Sequence, residues 1–164
     1  MRRSAPLRPF AAALAALLLA GAGCAPASEA VITGEVVAIH DGDTLSVLAG
    51  GRTVRVRLAC IDAPEQGQAF GSRARQRLAQ EAMRRTVRVE VVDRDSYGRT
   101  VGRVWADGSF VNLELVRAGL AWHYDHHCPG DRALAAAEAE ARAARRGLWA
   151  ELDPVPPWEW RRRR

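Results

Sequence analysis

Lysine is absent from the 164 residues, and all 24 cationic side chains are arginine. Any phosphate this chain meets is met by planar guanidinium forks that do not lose their proton. The body of the chain also lacks excess positive charge. Arg2, Arg3 and Arg8 lie in an N-terminal stretch without acids, and Arg161 to Arg164 end the chain. The remaining 17 arginines face 19 aspartates and glutamates. That balance excludes a globally basic nucleic-acid binder, so attraction for phosphate has to be local. There is no internal repeat, and no apolar run reaches the about 20 residues of a membrane-spanning helix. The longest, 13 residues from Phe10 to Ala22, follows the three arginines and reads as the apolar part of an export signal over residues 1–27. Its end stays open. Leu19-Ala20-Gly21-Ala22-Gly23-Cys24 fits a lipoprotein signal with Cys24 acylated, and Ala25-Pro26-Ala27 fits ordinary cleavage before Ser28. Either way the expected location is extracytoplasmic: secreted, periplasmic or membrane-anchored. Cysteine is scarce as well. Apart from Cys24 only Cys60 and Cys128 occur, and a bridge and two separate thiols are both open readings.

What is present suffices for one globular domain, placed at 28–150, with an extended Pro/Trp/Arg-rich tail at 151–164. Val31 to Ile39 is β-branched, with Gly34 suggesting a bend or bulge. Leu45 and Val47, then Val54, Val56 and Leu58, alternate with polar residues around the Gly50-Gly51 turn. Two further strands are expected at Val87–Val92 and Thr100–Trp105. Helices are expected at Ser72–Arg85, with Ser72 as cap, at Asn112–Ala118, and at Asp131–Arg146. The expected fold is α+β: a five-stranded OB-like Greek-key barrel with three helices.

The chemistry concentrates between Asp41 and Glu65. Period-2 geometry turns Arg57 away from the core, toward the loop that carries Asp62 and Glu65. Asp43 and Asp62 supply carboxylates from two neighbouring loops, and Ala63 a backbone carbonyl, a set suited to Ca²⁺. Glu65 follows the rigid Pro64 and is the candidate base or water-positioner. Arg57 and Arg99 are the candidate guanidiniums for a phosphate whose charge grows during attack. Asp41 reads as an organiser of its loop. The run His123-Tyr124-Asp125-His126-His127-Cys128 lacks the ligand spacing of a zinc site, and a loop beside a substrate groove suits it better.

Asp41-Gly42-Asp43-Thr44, Arg57-Leu58, Ile61-Asp62-Ala63-Pro64-Glu65 and Tyr97-Gly98-Arg99, in this order and spacing, resemble the staphylococcal nuclease family. Gly67 to Gly71, Leu115 to Ala121 and Arg146-Gly147-Leu148-Trp149 extend the resemblance across about residues 31–150. It implies a calcium-dependent, sugar-nonspecific phosphodiesterase acting as a monomer on DNA and RNA, mainly single-stranded, and leaving 3′-phosphate ends. The metal set would be Asp43, Asp62 and Ala63, the catalytic set Arg57, Glu65 and Arg99, with Tyr97 and Tyr124 on the substrate. The family usually has Thr where Ala63 stands, which a backbone carbonyl tolerates. The competing reading is a non-catalytic OB module that binds nucleic acid or a protein partner in the cell envelope.

Overall fold

The computed structural model describes residues 30–126 and 128–163. The expected signal at 1–27 and the lipid anchor at Cys24 lie outside the described residues. Antiparallel strands β1 (Val31–Ile39), β2 (Thr44–Ala49) and β3 (Arg52–Leu58) form a meander. A short strand β4 (Ile61–Asp62) leads to α1 (Gly71–Ala82). Strands β5 (Thr86–Arg94) and β6 (Thr100–Ala106) follow, with a two-residue β7 (Ser109–Phe110). The sheet order is β3-β2-β1-β5-β6-β7. Val56 to Leu58 of β3 pair in parallel with Thr100 to Gly102 of β6 and so close five strands into a barrel.

The alternation read in the sequence fills that barrel. Val36, Leu45, Val47, Val56, Leu58, Val87, Val89 and Val104 point inward and are buried, as pleat geometry requires. Beneath them pack Ala74, Leu78 and Ala82 of α1. Leu115 and Val116 of α2 (Val111–Arg117) and Leu134 of α3 (Arg132–Ala143) complete the layer. Asp131 caps α3 by accepting from Leu134 N–H at 3.2 Å. A second apolar cluster joins Trp122, Ala141, Leu148 and Trp149, with Phe70 and Trp158 against it.

Four expectations change. Ser72 does not cap α1; the helix starts one residue earlier, after Phe70 in a left-handed conformation, with no side-chain cap. The bulge of β1 falls between Val36 and Ala38 rather than at Gly34. Gly34 is needed for close approach instead, since a Cβ there would lie 2.2 Å from the Leu48 carbonyl oxygen. Among the described residues there are four α-helices rather than three. The tail is not simply extended: Pro157 opens a helix α4 (Pro157–Arg162), as a proline with preset φ can at a first helical position. Of the two open readings for the cysteines, the bridge is found: Cys60 and Cys128 form a disulfide, with Cα atoms 5.3 Å apart.

Candidate active site

The β1–β2 turn holds the first acid. Asp41 accepts the Asp43 N–H at 3.0 Å, the loop-ordering role expected of it. Gly42 lets this turn press inward, because a Cβ there would sit 2.7 Å from the Cβ atoms of Ala63 and Ala74. The turn therefore meets the β4 loop and α1 at once. Asp43 is 4% exposed and fully engaged. Its Oδ1 accepts from the Thr44 hydroxyl at 3.0 Å and from Arg57 Nη1 at 3.1 Å, and its Oδ2 accepts the Ala63 N–H at 2.9 Å. Burial pushes the Asp43 carboxyl up to about 7; Arg57 opposes the rise, Asp41 and Asp62 add to it, and the Ala63 N–H opposes it.

Register places Arg57. It pairs across the hairpin with Thr44, next to Asp43, and its other nitrogen, Nη2, donates to Asp62 Oδ1 at 2.9 Å. One guanidinium thus bridges two buried acids. Burial alone would lower the Arg57 pKa, but Asp43 and Asp62 together carry it above its ordinary value. Asp62 is 1% exposed and is fixed by a two-residue ladder between β4 and β8 (Trp122–His123), where it faces Trp122. The disulfide pins the same region: Tyr124 N–H donates to the Cys60 carbonyl at 2.8 Å.

Glu65 stands half out of the protein beyond Pro64. Its backbone N–H donates to Gln68 Oε1 at 3.0 Å. Arg99 comes from the β5–β6 turn, where Asp95 gathers it. Asp95 Oδ1 accepts from the backbone N–H of Tyr97 and Arg99, and Oδ2 from Arg99 Nε at 2.6 Å. Tyr97 is 85% exposed.

All eight site residues read from the sequence line one pocket of about 440 Å³: Asp43, Arg57, Asp62, Ala63, Glu65, Tyr97, Arg99 and Tyr124. Two further contributors escaped the sequence reading. Asp95, which aims Arg99, looked like an ordinary turn acid. Arg161, on α4, also lines the pocket. Its Nη2 donates to Asp62 Oδ2 at 2.8 Å and its Nη1 to Asp62 Oδ1 at 3.2 Å and Glu65 Oε1 at 2.6 Å. Hydrogen bonding to Asp62 raises the Arg161 pKa, and Glu65 adds to it. The available signal was helical spacing, since Trp158 and Arg161 stand three residues apart and share a face. Six residues are too few for that period to declare itself. The tail expected to be extended therefore folds back to the pocket at Arg161. A zinc site at His123 to Cys128 loses Cys128 to the disulfide.

A pocket with two buried acids, a half-exposed third and three guanidiniums can hold a cation and a phosphodiester side by side. The comparisons with known proteins agree with that chemistry. Residues 55–151 match the protein-family model described as staphylococcal nuclease homologue. The Escherichia coli protein named Protein ParB is 46% identical over 171 aligned residues, covering 98% of this chain and 94% of its own. The micrococcal nuclease of Shigella flexneri is 48% identical over 139, covering 79% and 80%. An E. coli protein described as an endonuclease is 44% identical over 140, covering 85% and 91%. With most of its fold inside the family match, and likeness of this degree over nearly its whole length, the chain belongs to the staphylococcal nuclease homologue family and is a hydrolytic nuclease acting on nucleic acid.

Proposed function

We propose that this nuclease is calcium-dependent and sugar-nonspecific, cleaving DNA and RNA, most readily as single strands, to 3′-phosphate and 5′-hydroxyl ends. The observation that carries the reading is the single pocket in which Asp43, Asp62 and Glu65 meet Arg57 and Arg99. The donor set fits the cation. Asp43 and Asp62 offer hard oxygens from two loops tied by one guanidinium, which suits Ca²⁺. Among the described residues no group of three or more His, Cys, Asp and Glu side chains gathers at metal-binding distance. The two carboxylates, the Ala63 carbonyl, water and the substrate phosphate would therefore share the coordination. Bound there, Ca²⁺ would supply positive charge beside the reacting phosphate.

The chain's own groups carry the rest. Glu65 accepts a proton from the attacking water, whose oxygen forms the new bond to phosphorus. Arg57 and Arg99 hold the equatorial oxygens as their charge grows, the place where preorganised donors contribute most. The phosphorus–O5′ bond breaks, and the departing oxygen takes up a proton. Tyr97 at the exposed rim and Tyr124 inside the pocket contact the nucleotide by stacking or donation. The non-catalytic alternative finds no support in a site whose acidic and arginine positions are all filled.

We further propose export from the cytoplasm. It rests on the N-terminal arginines and apolar run, and the Cys60–Cys128 bridge suits an oxidising compartment. We take the working unit to be a monomer. The nuclease proposal is tested by following the hyperchromicity of heat-denatured DNA with calcium and then with chelator. A rise in absorbance that chelator abolishes is expected, and no calcium-dependent rise would refute the calcium reading.

A further inference from the structure

The C-terminal segment is tied to the active-site rim at three points. Gln68, whose carbonyl holds the Glu65 backbone, donates its amide N–H to the Val155 carbonyl at 2.6 Å. Trp158 packs its ring 6.3 Å from Trp122 and 5.3 Å from Tyr124, centroid to centroid. Arg161 then forks onto both oxygens of Asp62 and reaches Glu65. The family match ends at residue 151, so the helix that does this stands outside the segment that defines the family.

The charges show why the guanidinium rests there. Asp95 holds Arg99, and Arg57 is shared between Asp43 and Asp62. Among the described residues, Arg161 makes the ion pair with Glu65 and the second pair with Asp62. Its charge sits on the oxygens that the proposed reaction needs for a cation and for a water. A carboxylate oxygen pair bonded to a guanidinium fork cannot present the same lone pairs to Ca²⁺. Asp62 is 1% exposed, so an uncompensated charge there is costly and some cation is favoured at all times.

We infer that Arg161 is a built-in counter-ion of the active site, a side chain that competes with the divalent cation for Asp62 and Glu65 and is displaced when the cation binds. The inference rests on the calcium reading above and goes beyond it. Residues 154–163 act as a strap, with the Gln68–Val155 bond as its hinge-side anchor, the Trp158 contact as its clasp and Arg161 as its tip. Cation binding is then linked to strap release, and by reciprocity any variant that loosens the strap tightens cation binding.

The test is calorimetric titration of Ca²⁺ into the wild-type protein, Arg161→Gln and Trp158→Ala, without nucleic acid. Arg161→Gln keeps the helix and removes the competitor; Trp158→Ala keeps the guanidinium and removes its platform. Tighter Ca²⁺ binding in either variant, by about fivefold or more, supports the inference. So does a change in tryptophan fluorescence when Ca²⁺ is added to the wild type, since Trp158 leaves its aromatic neighbours on release. Equal or weaker binding in both variants overturns it. If the wild type hydrolyses DNA in calcium while both variants keep its affinity, this inference alone fails. If no form binds Ca²⁺ and none shows calcium-dependent hydrolysis, the calcium reading fails and takes the inference with it.

Discussion

Asp43, Asp62 and Arg57 form a small closed circuit, and removing different members has different consequences. Arg57 neutralises two acids that are almost fully buried. Arg57→Ala leaves both without that partner, which in comparable buried pairs costs about 3–5 kcal/mol. Glu65 is more open, and its partner Arg161 is half exposed, so that ion pair adds little to stability. The two substitutions should therefore separate. Glu65→Gln lowers turnover about 10²–10⁴-fold with the melting temperature nearly unchanged. Arg57→Ala lowers both turnover and the melting temperature. Steady-state rates on denatured DNA and thermal melts of the same samples check this, and near-wild-type rates for either variant would show that its role is misassigned. The gathering of Asp43, Arg57, Asp62 and Glu65 was readable from the sequence because they are local to one hairpin and the loop after it. The side-chain bonds that saturate Asp43 were not, since the Ala63 donor comes from 20 residues away.

Elements carry the site by how they are joined. Asn112, in the first turn of α2, is fully buried. Its Oδ1 accepts the Val104 N–H at 3.0 Å, and its Nδ2 donates to the Ala59 carbonyl at 2.9 Å. One amide thus staples α2 to β6 and to the turn between β3 and β4, beside Cys60. Asn112→Ala leaves a buried donor and a buried acceptor unmatched, at about 1–3 kcal/mol each. The expected result is a melting temperature lower by about 10 °C in a scanning calorimeter, and a loss under 2 °C would show that water replaces the amide. From sequence, Asn112 was only the start of a short helix. The same limit hid α4. Its six residues are stabilised by docking Trp158 on Trp122 and Tyr124, and short helices owe their order to packing rather than propensity. Ser72 failed as a cap for a related reason, because the approach of Phe70 in a left-handed conformation fixes the start of α1.

At the scale of the molecule, barrel closure and the disulfide bring together residues distant in sequence. The β3–β6 pairing, Val56 with Thr100 and Leu58 with Gly102, brings the Arg99 turn beside the Arg57 strand. The Cys60–Cys128 bridge closes a loop of 68 residues and fixes the Tyr124 loop beside Asp62. In the chain-entropy account a loop of that size contributes about 4 kcal/mol. Thermal melts with and without a reductant should differ accordingly, and coincident melts would show that the bridge does not stabilise the fold. By itself the sequence determined the barrel strands and the placing of charged groups along the hairpin and its following loop. Alternating valines can be satisfied only by a half-buried sheet, and Asp-Gly-Asp and Asp-Ala-Pro-Glu set carboxylates on loops whose geometry is local. Only the tertiary structure decided that Cys60 meets Cys128, that Asp95 aims Arg99, and that Arg161 returns across 99 residues to Asp62. Such contacts depend on the distances left after the chain has closed, and no local pattern encodes them.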